Sequence, residues 1–472
     1  MALALALAVA ISACGAIGLV SQSGSTPTYT QATPTATATP NSPPTATPTI
    51  TPSSTPSRTP TATATPTASA RADLGLAVDP TRLDIVDQHA LAATSDDAAS
   101  IKALAEYLAS VTKDDVEKTR AIYRWITENI TYDVPAFLTG RYGDQSAEGV
   151  LATRKGVCAG YANLFQALGK AMGLEVGIIG GWAKGYSFDL GDLDQETNHA
   201  WNAVRIEDRW YLVESTWGSG YIDENQRFIR RFTGYYFLTP PEQLIYTHFP
   251  EDARWQLLDV QMSREKFASL PEVKTAFFEY GLELGSHTRG MIDVVQEVSI
   301  TLGAPSGVLL MAAVEQVGQR LADTYTFVQR NGAEYQVDAV FPGPGEYDLI
   351  VFAKLQDDPG MYSGALRYRV SVSHGAPVRA GFPQVYQGFG ERGAYLYGPM
   401  EGYLPAGSTQ TFKLSVPGAQ RVALIMGQEW HQLNKNGDVF QGDVTVRQGE
   451  VQVCANFADG SKYSCLLSYT GY

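Results

Sequence analysis

Apolar residues recur at helical spacing in two consecutive stretches, Ile101, Leu104, Leu108 and Val111, then Val116, Ile122, Tyr123 and Ile126 beyond Thr112, and predict two amphipathic helices. Both read as scaffold. Ordered structure is expected to begin near Leu74. Residues 129–133 followed by Val134-Pro135 read as a turn, and Gly156 breaks the backbone before a third predicted helix. That helix runs over residues 158–172, with Cys158, Ala162, Phe165, Leu168 and Met172 as its apolar positions. The period then changes to two. Residues 176–180 read as a strand, 184–197 as a polar loop, and 198–206 and 210–216 as the arms of an antiparallel hairpin. Past Pro250 the helical signal fades to short pieces within residues 263–280. Strands are predicted at residues 295–301, 307–311, 335–340, 347–352 and 366–372. A second β-rich unit is expected from Tyr403 to Tyr472, with turns at Asn436-Gly437 and Asp459-Gly460.

The chain before Leu74 follows neither period. Residues 1–20 form an apolar run rich in Ala and Leu that reads as an export signal, and the part before Cys14 is shorter than the ~20 residues a membrane-spanning helix takes. Ile11-Ser12-Ala13-Cys14 resembles a bacterial lipoprotein signal, which implies a lipid anchor on Cys14 and a place at the cell surface, although no Lys or Arg precedes it. A plain cleaved signal with an incidental cysteine is the alternative. Residues 23–70 are mostly Thr, Pro, Ala and Ser, with Arg58 as the only charge, and cannot bury enough apolar surface to fold. They read as a disordered linker. At about 3.1 Å per residue it could hold a domain on the order of 100 Å from its anchor.

Composition then sets bounds. The chain has 472 residues, 44% of them hydrophobic, enough for two or three domain cores. Its 49 acidic and 35 basic residues give a net charge of -14, which repels phosphate backbones, so no nucleic-acid partner is expected. The four cysteines are Cys14, Cys158, Cys454 and Cys465, with no C-x-x-C pair, and neither a metal site nor a cofactor is expected. Cys454 and Cys465 flank Asp459-Gly460 symmetrically. A two-residue turn there would set them opposite one another as a hydrogen-bonded pair with Cα atoms about 5.5 Å apart, within reach of a disulfide in an exported chain; two reduced thiols are the alternative.

The candidate chemistry lies between Thr153 and Gly220. Cys158, in Gly-Val-Cys-Ala-Gly-Tyr-Ala, opens its helix, where unpaired N–H groups and the dipole favour a thiolate, and Arg154 or Lys155 would add to this. A buried inert cysteine is the bland alternative. His199, in Asn-His-Ala-Trp-Asn, and Glu214, in Tyr-Leu-Val-Glu-Ser-Thr-Trp-Gly, lie on the two arms of the hairpin. With an even loop such as Asp208-Arg209, both point to the same face.

These three blocks resemble the Cys, His and Asp blocks of the transglutaminase-like superfamily, and more narrowly its kyphoscoliosis-peptidase-like branch, over roughly residues 83–255. The match continues through His248-Phe-Pro-Glu-Asp-Ala-Arg-Trp255. Where the family pattern has Asp, this chain has Glu214, so the third member's geometry must adjust. The resemblance implies an α+β fold: a papain-like catalytic domain followed by two immunoglobulin-like β-sandwich domains. The expected organisation is a lipoprotein-type signal at 1–21, a linker at 22–72, the catalytic domain at 73–255, and β domains at 256–378 and 379–472. It further implies acyl transfer from a protein or peptide, cell-wall peptide included, with Cys158 as nucleophile, His199 as proton shuttle and Glu214 orienting the imidazole, in a monomer. The rival reading is a tethered adhesion protein that binds through its β domains.

Overall fold

The computed structural model describes Leu76 and residues 79–472, apart from residues 187, 189–195 and 459–461. Cys14, the signal at 1–21, the linker at 22–72 and the Asp459-Gly460 turn lie outside the described residues.

Three helices open the described chain: α1 (Pro80–Leu91), α2 (Ile101–Ala109) and α3 (Asp115–Asn129). Side chains of Asp79, Ser100 and Asp114 cap them, each accepting a first-turn backbone N–H. The second and third are the two expected from periodicity. The first was not expected, because its apolar stripe is thin, with only Leu83, Val86 and Ala90 buried. Charge holds it instead: both Asp87 carboxylate oxygens accept from Arg120 of α3, at 2.6 and 2.7 Å. Two further helices, α4 (Ala147–Thr153) and α5 (Cys158–Ala171), pack beside them.

The sheet of this core has five strands, β1 (Glu175–Ala183), β2 (His199–Ile206), β3 (Arg209–Val213), β4 (Phe237–Thr239) and β5 (His248–Pro250), in the order β4-β3-β2-β1-β5, all antiparallel. Helices and sheet enclose one apolar core containing Trp125, Tyr161, Phe165, Trp201 and Phe237. The β2–β3 turn is Glu207-Asp208, at φ 46° and 64°, a mirror-image two-residue turn one position earlier than expected. The loop stays even, so the parity argument is unchanged. The second arm is shorter than expected. It stops at Val213, because Glu214 caps a short helix, α6 (Ser215–Ser219).

Beyond the core come two β-sandwiches. The first faces a six-stranded sheet, built around Val308–Gln316, Gly345–Leu355 and Ser363–Val372, with a four-stranded one built around Glu297–Gly303 and Glu334–Val340. Ile300, Val337, Leu349 and Tyr368 fill the space between them. Strand Thr326–Asn331 escaped the sequence reading because buried polar residues hide its alternation: Thr326 and Gln329 are buried on opposite faces of the strand, and Gln329 Oε1 accepts the Leu396 N–H at 2.9 Å.

The second sandwich repeats the plan strand for strand. In chain order, ten strands from Glu272 to Val372 and ten from Gln384 to Gly471 sort into sheets with the same neighbours. Each plan includes one short strand parallel to the last: Met291–Val294 in the first, Tyr403–Leu404 in the second. In the second, Cys454 and Cys465 pair across Gly449–Asn456 and Ser464–Gly471 and form a disulfide. Their Cα atoms are 3.8 Å apart, closer than expected from an unbroken ladder. The ladder shifts register between Val453 and Cys454, so the regular alternation does not reach the pair.

Candidate active site

Cys158 is the first residue of α5, and it is partly exposed. The N-cap residue, Val157, has no side chain to satisfy the first-turn N–H groups, so the positive end of this 14-residue helix is left at the thiol. The helix is fastened at both flanks. The Tyr161 hydroxyl donates to Ile130 O at 2.8 Å, and the buried Asn202 amide of β2 donates to Ala162 O at 3.1 Å and Gly177 O at 3.2 Å. The strand that carries the histidine thus grips the helix that carries the cysteine. Of the two cations expected nearby, Arg154 lies over the Trp125 ring at 4.7 Å, and Lys155 is exposed.

His199 opens β2, where the Asn198 side chain clamps β1 by accepting the Ala183 N–H at 2.7 Å and donating back to Ala183 O at 3.2 Å. Gly181 sits across from His199 in the ladder. A side chain there would meet Phe249 O at 2.2 Å and the Trp201 ring at 2.7 Å, so only glycine lets the strands close. The imidazole is tied at both ends. Nε2 donates to Glu214 Oε2 at 2.8 Å, and the Cys158 thiol lies near enough to the ring to favour its charged form.

Glu214 is fully buried, and its second oxygen, Oε1, accepts the N–H groups of Thr216 at 2.5 Å and Trp217 at 2.9 Å. Burial opposes charge on both partners, yet the pairing wins. Glu214 and Cys158 push His199 up to about 10, and His199 with His248 holds Glu214 well below the usual carboxylate range. The charged form at neutral pH is therefore an imidazolium against a carboxylate.

The structure brings together the three residues singled out in the sequence and adds a fourth. His248, on β5, is fully buried with its Nε2 3.6 Å from Glu214 Oε2. Burial lowers its pKa to about 4. Trp217 packs on the His248 ring at 4.5 Å and lies 5.8 Å from that of His199, screening the pair from water. The ligating atoms of His199, Glu214 and His248 lie within 4.8 Å of one another, the donor set of a two-histidine, one-carboxylate metal site. A metal would need the lone pair on His199 Nε2 that the bond to Glu214 fills with a proton, so we read the trio as a hydrogen-bonded relay. The sequence carried one sign of His248: it opens the segment through which the family resemblance continues.

Two stretches of the chain resemble known protein families. Residues 102–215 match the model of the transglutaminase-like superfamily, and residues 264–383 match that of the KY-like, immunoglobulin-like domain. The chain joins a transglutaminase-like core to a KY-like immunoglobulin-like domain. The transglutaminase-like match ends at Ser215, one residue past Glu214, and so spans Cys158, His199 and Glu214. Among curated proteins, the kyphoscoliosis peptidase of Homo sapiens is 33% identical over 265 residues, 55% of this chain and 39% of that protein. Hillarin of Drosophila melanogaster is 29% identical over 227 residues, 45% of this chain and 28% of that protein. The chain spans about two fifths of the human relative's length. A solved TGase crystal structure is 18% identical over 33% of this chain and 37% of its own, with a TM-score of 0.20.

Proposed function

We infer that the transglutaminase-like core performs acyl transfer through a cysteine thioester. The observation that carries this is the His199 ring held by the buried Glu214 carboxylate at 2.8 Å, beside a partly exposed Cys158 at the start of its helix. The Cys158 thiolate attacks a carboxamide carbon of a protein or peptide, and the His199 imidazolium gives its proton to the leaving amine as the C–N bond breaks. Water or a second amine then attacks the thioester and surrenders a proton to His199. The thiolate departs, leaving a carboxylic acid in the first case and a new amide in the second. Throughout, Glu214 keeps the imidazole oriented and balances its charge. The Cys158 backbone N–H, at the helix start, is the first donor to the oxyanion.

The test is alkylation of Cys158 by iodoacetamide across pH. The expected result is a thiol reactive well below pH 7 that reverts in His199→Ala to an ordinary one with pKa near 8.5. A wild-type profile already centred near that value, and unmoved by the His199 change, would remove the enzymatic reading in favour of binding through the β domains. The proposal also holds the chain at the exported face of a membrane by lipid on Cys14. Metabolic palmitate labelling that survives Cys14→Ser would overturn that part.

A further inference from the structure

We propose that His248 is a positioning residue of this centre, whose Nε2–H holds the outer flank of Glu214 Oε2 and so aims the carboxylate at His199; this rests on the acyl-transfer reading. Three of the acceptor positions on Glu214 have evident partners. Oε1 takes two backbone N–H groups of α6, and Oε2 takes the His199 Nε2–H. His248 Nε2 faces what remains, at 3.6 Å. It is buried and, at that distance, makes no hydrogen bond to any protein group. A buried ring nitrogen left this way is costly unless it points at something that completes it.

The tautomer follows from its neighbours. His248 Nδ1 lies 2.9 Å from Thr247 Oγ1, which is also 3.2 Å from Leu244 O. Thr247 has one hydroxyl proton and could send it either way. If it went to Leu244, His248 would carry its own proton on Nδ1 and turn a bare lone pair toward an ionised carboxylate. Repulsion excludes that arrangement. Thr247 therefore donates to Nδ1, and Nε2 carries the proton that faces Glu214.

The ring has little freedom to turn away. Trp217 packs against it at 4.5 Å, with Trp201 and His199 each at 5.2 Å, and Ala183 pairs with His248 across the β1–β5 ladder. The ionisable groups facing it are Glu214, His199 and Tyr236, whose ring lies 6.3 Å away and whose phenol burial keeps neutral. His248 is itself neutral, because burial opposes its charge. It can hold the carboxylate without placing a second cation beside the imidazolium. The device suits a glutamate, which has one more rotatable bond than aspartate and needs an additional contact to fix it.

The experiment compares Cys158 alkylation by iodoacetamide in wild type, His248→Phe and His248→Gln, each also in a Glu214→Ala background, with thermal melting as a check on folding. Loss of the polar contact with the Glu214 carboxylate should slow His248→Phe alkylation at pH 6 roughly tenfold and move the acid limb upward. His248→Gln, which keeps a donor, should recover most of the rate. In the Glu214→Ala background the His248 changes should have no further effect. A His248→Phe profile that overlays wild type, or an undiminished effect without Glu214, would overturn the proposal. An ordinary thiol in wild type would instead sink the acyl-transfer reading itself. Should the variants misfold, nitrogen-15 imidazole spectra of the wild type decide: an Nε2–H tautomer at His248 supports the assignment, and Nδ1–H refutes it.

Discussion

At the scale of residues, the third member of the site bears most of the constraint. Glu214 does two jobs with its two oxygens, capping α6 and holding His199. Aspartate is shorter by one C–C bond, about 1.5 Å, and cannot reach both. We expect Cys158 alkylation rates at pH 6 to fall in the order wild type, Glu214→Asp, Glu214→Gln, with the last down by roughly tenfold or more; equal rates in all three would release Glu214 from the site. The pH dependence has a definite sign. His199 is raised from 6.5 to about 10, so its contribution to stability is full below pH 6.5 and is lost as pH rises through 10. His248 is lowered to about 4, so the native site disfavours its protonation and stability is lost as pH falls from 6.5 toward 4. Urea midpoints measured across pH should show both limbs, and His248→Phe should flatten the acidic one. Cys158, His199 and Glu214 were legible because helix start and hairpin parity are local patterns. His248 was not, since the pairing of β5 with β1 joins segments 65 or more residues apart, and no short-range period encodes it.

At the scale of elements, α1 shows where pattern reading stops. Its three buried apolar residues make only a narrow stripe on one face, and the Arg120–Asp87 pair adds to the attachment. Arg120 is nearly fully buried, and its guanidinium also lies 5.0 Å from the Phe237 ring. Removing the carboxylate leaves a buried charge without its partner. Asp87→Ala should therefore lower the unfolding free energy by about 3–5 kcal/mol in urea titrations, whereas a loss below about 1 kcal/mol would mean that α1 is held by packing after all. The β2–β3 arm failed differently. Trp210-Tyr-Leu-Val213 alternates convincingly, and nothing in that alternation tells that the next carboxylate turns back to cap a helix.

At the scale of the whole chain, chemistry and scaffold rest on separate cores, one behind the site and one in each sandwich. The Cys454–Cys465 bond closes a short loop, 11 residues apart in sequence, in the last of them. Loop-closure entropy puts its contribution at about 3 kcal/mol. Selective reduction, or Cys454→Ala with Cys465→Ala, should lower the melting temperature of that sandwich and leave the Cys158 alkylation profile where it was. A profile that moved with it would show the two regions to be coupled. The two sandwiches were legible as β-rich units but not as sharing one plan, because side chains along equivalent strands differ while the pairing order is the same.

That repetition sets the strands of the two sandwiches in one-to-one correspondence. Gly345-Glu346 and Gly449-Glu450 begin corresponding strands, and both glycines keep a positive φ, at 140° and 106°. Ten strands connected identically, twice in succession, give every strand of one sandwich a structural counterpart in the other. The C-terminal sandwich has a covalent cross-link that the first lacks, while the KY-like match reaches only the first. The two sandwiches thus share one wiring diagram, and each supplies a position-by-position structural reference for the effect of substitutions in the other.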